Sequence, residues 1–237
     1  MDEKEQSKKF GRDKRMRTRL IAKFNSIKEW KNYCFNNHKA YLKNKYFRCW
    51  IKEKRIDIFN YTTLEKSNLQ NIKKSIENAL RLCNGNFKVK MFTHKPNELD
   101  FAIKNNILIG KDMLKMVKKS RKNGKICSAS IFLVNKRVQS GNVLLEFGDA
   151  LTYVSDGITI FTFDPSIKYN MRFFKDEVAH EIYHLMGLNI HHFDTEVQGY
   201  GKFSKCLMEY NAPSGRLCNK CMDGLLSFWE GVKYASR

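Results

Sequence analysis

Acidic side chains are scarce in this 237-residue chain: 24 Asp and Glu stand against 44 Lys and Arg, a formal charge of +20 at neutral pH. The imbalance is steepest at the start, where residues 1–50 hold 15 basic and five acidic side chains. Missing too is any run of about 18 apolar residues, so no membrane span is expected. The opening stretch MDEKEQSKKFGRDKRMR is charged throughout and has no apolar h-region, which argues against a secretory signal there. An intracellular protein is expected. Beyond the lysine bias there are no low-complexity tracts, and there are no internal repeats.

What is present suffices for a packed core. The apolar fraction is 42% and the aromatic fraction 13%, ordinary values for a globular chain. The length suits one main domain, read as residues 51–237, preceded by a basic extension, residues 1–50. Trp30, Tyr33, Phe35, Tyr41, Tyr46, Phe47 and Trp50 are interleaved with the basic residues of that extension. Such a segment can follow a nucleic-acid backbone or an anionic surface. The same aromatics can instead dock helices on the body. Both readings stand at this point.

Seven cysteines in a reducing compartment read as thiols and metal ligands rather than disulfides. Cys34, Cys49, Cys83 and Cys127 are scattered and read as small buried apolar residues. Cys206, Cys218 and Cys221 crowd one short segment.

Hydrophobic periodicity supplies the elements. Arg55 to Tyr61 and Phe87 to Thr93 alternate as strands. Between them a helical stripe of Leu69, Ile72, Ile76 and Leu80 ends near Asn84-Gly85. A second helix is expected over Asp112 to Arg121, then strands at Ile126–Val134, Val143–Phe147 and Gly157–Phe163. The longest helical pattern runs from about Asn170 to Met186, with Phe174, Val178, Ile182 and Leu185 on one stripe and Gly187 as its stop. Asn189 to Cys221 reads as loop and Asp223 to Tyr234 as a short final helix. The alternation predicts an α/β domain with a mixed sheet.

That longest helix carries His180-Glu181-Ile182-Tyr183-His184. Residues four apart share a helix face, so His180 and His184 can close on one metal ion. Glu181 is rotated about 100° away, outside the ligand set but within reach of a metal-held water as general base. A catalytic zinc takes three protein ligands and keeps one open position. Gly187 lets the chain reverse, and His191 is the expected third ligand, with His192 its rival. Cys218-Asn219-Lys220-Cys221 is a CxxC knuckle. With Cys206 and the remaining histidine, His192, it completes a Cys₃His set for a second, structural zinc.

These residues resemble the metzincin peptidases, and within them the archaemetzincins. The likeness rests on HEIYHLMGLNIHH, then Cys206-Leu207-Met208, then Cys218 to Cys221, and covers roughly Arg55 to Cys221. It implies a mixed twisted sheet, an active-site helix and a zinc-stabilised C-terminal subdomain, with a catalytic zinc beside a structural one. It further implies that Met208 is the Met-turn residue and that Val143 to Ala150 is the edge strand pairing with an extended peptide. Tyr210, two residues after Met208, matches in place a transition-state-stabilising Tyr of astacin-like and serralysin-like metzincins. Three departures accompany the likeness. The ten-residue spacing from His180 lands on Ile190, so His191 comes one residue late. His192 stands where the family has Cys, and the gaps around Cys206 to Met208 differ.

The expected function is zinc-dependent peptide hydrolysis, with Glu181 taking the water's proton and passing it to the leaving amine. The competing class is a zinc-stabilised nucleic-acid-binding module without catalysis. A third reading joins them: a peptidase brought to DNA by its basic arm.

Overall fold

The computed structural model describes residues 21–83, 86–124, 127–166, 171–188, 190–201, 205–209 and 215–235. In chain order these form β1 (Ala22–Phe24), α1 (Ile27–Lys43), α2 (Lys45–Glu53), β2 (Arg55–Tyr61), α3 (Lys66–Leu80) and β3 (Lys88–Thr93). Next come β4 (Ile103–Lys104), β5 (Ile107–Ile109), α4 (Gly110–Lys122), β6 (Ala129–Val134), β7 (Arg137–Ser140) and β8 (Val143–Leu145). The last five are β9 (Ala150–Tyr153), β10 (Ile158–Thr162), α5 (Met171–Leu185), β11 (Thr195–Val197) and α6 (Asn219–Ala235).

A five-stranded sheet in the order β3-β2-β6-β10-β9 organises the domain. Its first four strands are parallel, and β9 runs antiparallel to β10 at the edge. Every residue of β6 and β10 is buried, as expected for central parallel strands covered on both faces. Alternation along β6 sorts the two cores. Ile131 and Leu133 face one side, with Ile72 and Ile76 of α3, Val178 and Ile182 of α5, and Phe228 of α6. Phe132 and Val134 face the other, with Met113 and Val117 of α4 and Val138 of β7. A second sheet, β4-β5-β7-β8, lies among the residues of this smaller core.

The edge strand is where the structure corrects the sequence reading. Val143 to Ala150 is not one strand but is divided by a turn, in which Asp149 N donates to Glu146 O and Gly148 sits at φ +91°. Val143–Leu145 borders the second sheet, and the edge beside α5 is Ala150–Tyr153.

The N-terminal helices belong to the larger core. Ser26 caps α1, its hydroxyl accepting from Glu29 N. Trp30, Phe47 and Trp50 are fully buried, and the Trp30 indole N–H donates to Lys220 O at 2.9 Å. Gly224 of α6 makes that approach possible, since a Cβ there would lie 2.7 Å from the Trp30 ring. Residue 50, the sequence boundary of the basic extension, falls inside α2. Most of the aromatics in this segment face the interior, while its lysines face water.

Two further corrections concern cysteine and the C-terminal helix. Cys49 and Cys127 are joined by a disulfide between α2 and the segment before β6, with Cα atoms 5.7 Å apart. Their 78-residue separation gives no sequence signal, because only the parallel pairing of β2 with β6 brings the segments before those strands together. Helix α6 begins at Asn219 rather than Asp223, so the CxxC straddles its first turn. No helix among the described residues is long and apolar enough to cross a membrane.

Candidate metal centre

Helix α5 turns Val178, Ile182 and Leu185 into the core and leaves His180, Glu181 and His184 at its other side, toward the sheet edge and the loop beyond. The helix ends in a Schellman arrangement: Gly187 N donates to His184 O at 3.0 Å and Leu188 N to Tyr183 O at 3.0 Å. Gly187 adopts φ +100°, a backbone conformation that side chains disfavour. This reversal aims the Leu188 carbonyl at His184, whose Nδ1 donates to it at 2.8 Å. His180 Nδ1 likewise donates to Leu207 O at 2.5 Å.

Those two bonds decide the tautomers. With Nδ1–H committed to a carbonyl, each neutral ring presents a bare lone pair at Nε2. The Nε2 atoms of His180 and His184 lie 3.0 Å apart, and that of His191 lies 3.2 Å from His184's. Lone pairs so close repel unless a cation sits among them. Tetrahedral zinc with nitrogen ligands at its usual distance separates them by about 3.3 Å, so the donor set fits the ion. His191 Nδ1 faces the Asp194 carboxylate at 3.5 Å, the outer contact typical of metal-bound imidazole. Burial, then the neighbouring His184, holds the His180 imidazole below its ordinary pKa, which keeps its lone pair available.

Glu181 is buried beside this trio. Its Oε2 accepts a 2.5 Å hydrogen bond from the Thr152 hydroxyl of β9, and its Oε1 lies 4.0 Å from His180 Nε2. One turn earlier on the same face, Glu177 is pushed from the ordinary 4.5 up to about 8, by burial first and then by the charges of Glu181 and Asp149. A carboxyl whose folded pKa is raised costs stability wherever the unfolded chain would ionise it. That cost begins near pH 4.5, grows as pH rises and is complete above about 8. Glu177→Gln is therefore expected to raise the melting temperature at pH 8 and to leave it nearly unchanged at pH 4.5. Thermal unfolding at the two pH values checks this, and an equal shift at both would refute it.

A second donor set lies one residue away. Ligand atoms of His192, Cys206 and Cys218 are all within 4.8 Å of one another. Cys221 joins them through its Sγ, 3.7 Å from that of Cys206. Cys206 Sγ accepts from the backbone N–H groups of Met208 and Cys218, both at 3.4 Å, yet its contact with Cys218 holds the thiol above its ordinary range. Hydrogen bonds from Cys206 and Cys221 push the Cys218 thiol well below its ordinary range. Lys220, itself buried, donates from Nζ to the carbonyls of His192 and Thr195, both at 2.7 Å. Its charge stands beside three sulfurs.

The Cys206-Leu207-Met208 turn stitches the two sets together. The Leu207 carbonyl orients His180, and the Met208 carbonyl accepts from His192 N at 2.7 Å. Met208 is fully buried. On the far side, β1 pairs in parallel with β11, Ala22 opposite Thr195 and Phe24 opposite Val197, and steadies the loop that follows the histidines. The structure thus brings together His180, His184 and His191 in one set and His192, Cys206, Cys218 and Cys221 in the other. Tyr210 lies outside the described residues.

Sequence alone does not mark Thr152, Asp194 or Lys220 as site residues. Glu177 had a signal, standing four residues before Glu181 on one helix. The others meet the site only through strand pairing or loop closure.

No family model and no curated protein sequence matches this chain. Among solved structures the resemblance is to a mixed α/β fold. Its representative is archaemetzincin from Methanopyrus kandleri, 13% identical, with a TM-score of 0.50 over 76% of this chain and 95% of that one. At that identity the likeness is one of fold.

Proposed function

We propose that this chain is a zinc-dependent peptidase. The observation that carries the reading is the convergence of three imidazole Nε2 atoms, two of them fixed by carbonyls behind the rings, next to a buried glutamate. His180, His184 and His191 hold the catalytic ion, and His192, Cys206, Cys218 and Cys221 a structural one. Zinc supplies Lewis acidity, which polarises a carbonyl oxygen and makes water more acidic. Glu181 takes the proton from the attacking water through Oε1, the oxygen that Thr152 leaves free, and delivers it to the departing amine. Strand β9 offers its outer edge to the substrate backbone, in the manner of strand addition. Met208 is the Met-turn residue beneath the histidines, and the fold likeness to an archaemetzincin supports the same assignment.

The partner reading rests on charge. Residues 30–52 carry six Lys and Arg and no Asp or Glu. These side chains are arrayed on α1 and α2, a surface for nucleic-acid phosphates. Both readings meet in one experiment: the zinc-loaded protein incubated with an unfolded protein library, with and without single-stranded DNA. Cleavage that a chelator abolishes is expected, with faster cleavage of DNA-bound substrates. No cleavage under either condition, with both ions bound, would leave the binding-module class standing instead.

A further inference from the structure

Thr152 belongs to β9, and its hydroxyl makes two hydrogen bonds: 2.5 Å to Glu181 Oε2 and 3.0 Å to the hydroxyl of Thr159. Thr159 is its directly opposed partner on β10 and is fully buried. Each hydroxyl has a single proton, which fixes the direction of the chain. An ionised carboxylate only accepts, so Thr152 spends its proton on Glu181 and accepts from Thr159. A cross-strand threonine pair therefore braces the carboxylate from the sheet side. Of the two carboxylate oxygens, Oε2 is tied and Oε1 lies 4.0 Å from His180 Nε2.

We propose that Thr152 is a positioning residue for Glu181, setting which carboxylate oxygen faces the reacting water. The proposal rests on the peptidase reading above. A general base acts only within hydrogen-bond reach of its proton, and a displacement of about 1 Å can cost on the order of 10²-fold in rate. A glutamate side chain has three rotatable bonds, and the helix restrains only the first of them well. The hydroxyl of Thr152 supplies the missing restraint. Because it projects from the edge strand, the element that receives the substrate backbone also holds the base.

The test compares zinc-loaded Thr152→Val and Thr152→Ser with the unaltered protein. Valine keeps the shape and the strand preference and removes the donor; serine keeps the donor and removes the methyl group. Thr152→Val is expected to lower kcat about tenfold to a hundredfold, the range for a lost hydrogen bond to a charged group, with KM within about threefold. Thr152→Ser is expected to recover kcat to within about threefold. Zinc content should match in all three and each should unfold cooperatively, and a crystal structure of the valine variant should show the Glu181 carboxylate turned from its place. Should valine perturb the strand, Thr152→Ala replaces it with the same expected loss. Full kcat in the donor-free variant, or a serine variant as impaired as the valine one, would overturn the proposal. Glu181→Gln, run alongside, separates the two ideas. If the unaltered protein cleaves nothing, the peptidase reading fails; if Glu181→Gln is as active as the unaltered protein, the role of Glu181 as base fails; if it is inactive while Thr152→Val turns over at full rate, only the role of Thr152 fails.

Discussion

Glu181→Gln is expected to leave the chain folded and loaded with metal while lowering kcat/KM for peptide cleavage by about 10²- to 10⁴-fold, the usual share of a general base. The amide is nearly isosteric, and its oxygen still accepts from the Thr152 hydroxyl, so the side chain keeps its anchor. It has lost the capacity to take a proton. The three histidines are oriented by the Leu207 and Leu188 carbonyls and faced by Asp194, none of which the substitution touches. Elemental analysis of the purified variant is therefore expected to find the same zinc per chain as in the parent protein. Turnover persisting in a fully zinc-loaded variant would sink the role assigned to Glu181.

Gly187→Ala is expected to be strongly destabilising. The residue sits at φ +100°, which costs an ordinary side chain about 1–2 kcal/mol. Its Cβ would also collide with the buried ring of Phe228 on α6, adding about 1–3 kcal/mol of overpacking. Together these predict a melting temperature lower by about 5–15 °C for a domain of this size. The damage is expected to reach the proposed metal site. Gly187 sets the reversal that places the Leu188 carbonyl behind His184, and losing such an outer contact typically weakens metal affinity about 10- to 100-fold. Pairing the change with Phe228→Leu is expected to restore the packing part and leave the backbone part, which a double-mutant cycle reads directly. A melting temperature within about 2 °C of the parent would refute the argument.

The parts of the molecule legible in sequence are those governed by short-range periodicity. Strand Arg55–Tyr61 emerges with its observed limits because its alternation is long and its neighbours are buried. Helices α3, α4 and α5 emerge within a few residues of their ends for the same reason. His180 and His184 share a helix side by the 3.6-residue repeat alone. The rest depends on contacts distant in sequence. Strands β4, β5, β7 and β9 have two to four residues each, too few to show a period. The disulfide between Cys49 and Cys127 and the burial of Trp30 against α6 require knowing which elements meet. The carbonyls of Leu188 and Leu207 leave no sequence trace at all, since every residue has one. The division of His191 and His192 is of this kind too: His191 is extended, His192 opens a 3-10 turn, and the two side chains join different donor sets.

One peptide unit separates those two histidines, and the two donor sets therefore share a hinge. An ion that fixes the ring of His192 among the sulfurs also removes torsional freedom from His191, and the reverse holds equally. Thermodynamic linkage makes such an effect reciprocal, so each ion lowers the ordering entropy left for the other. The sulfur-rich set is tied to α6, and Lys220 bonds the carbonyls of His192 and Thr195 beside it. If both sets bind zinc as proposed, filling either one is expected to raise the affinity of the other.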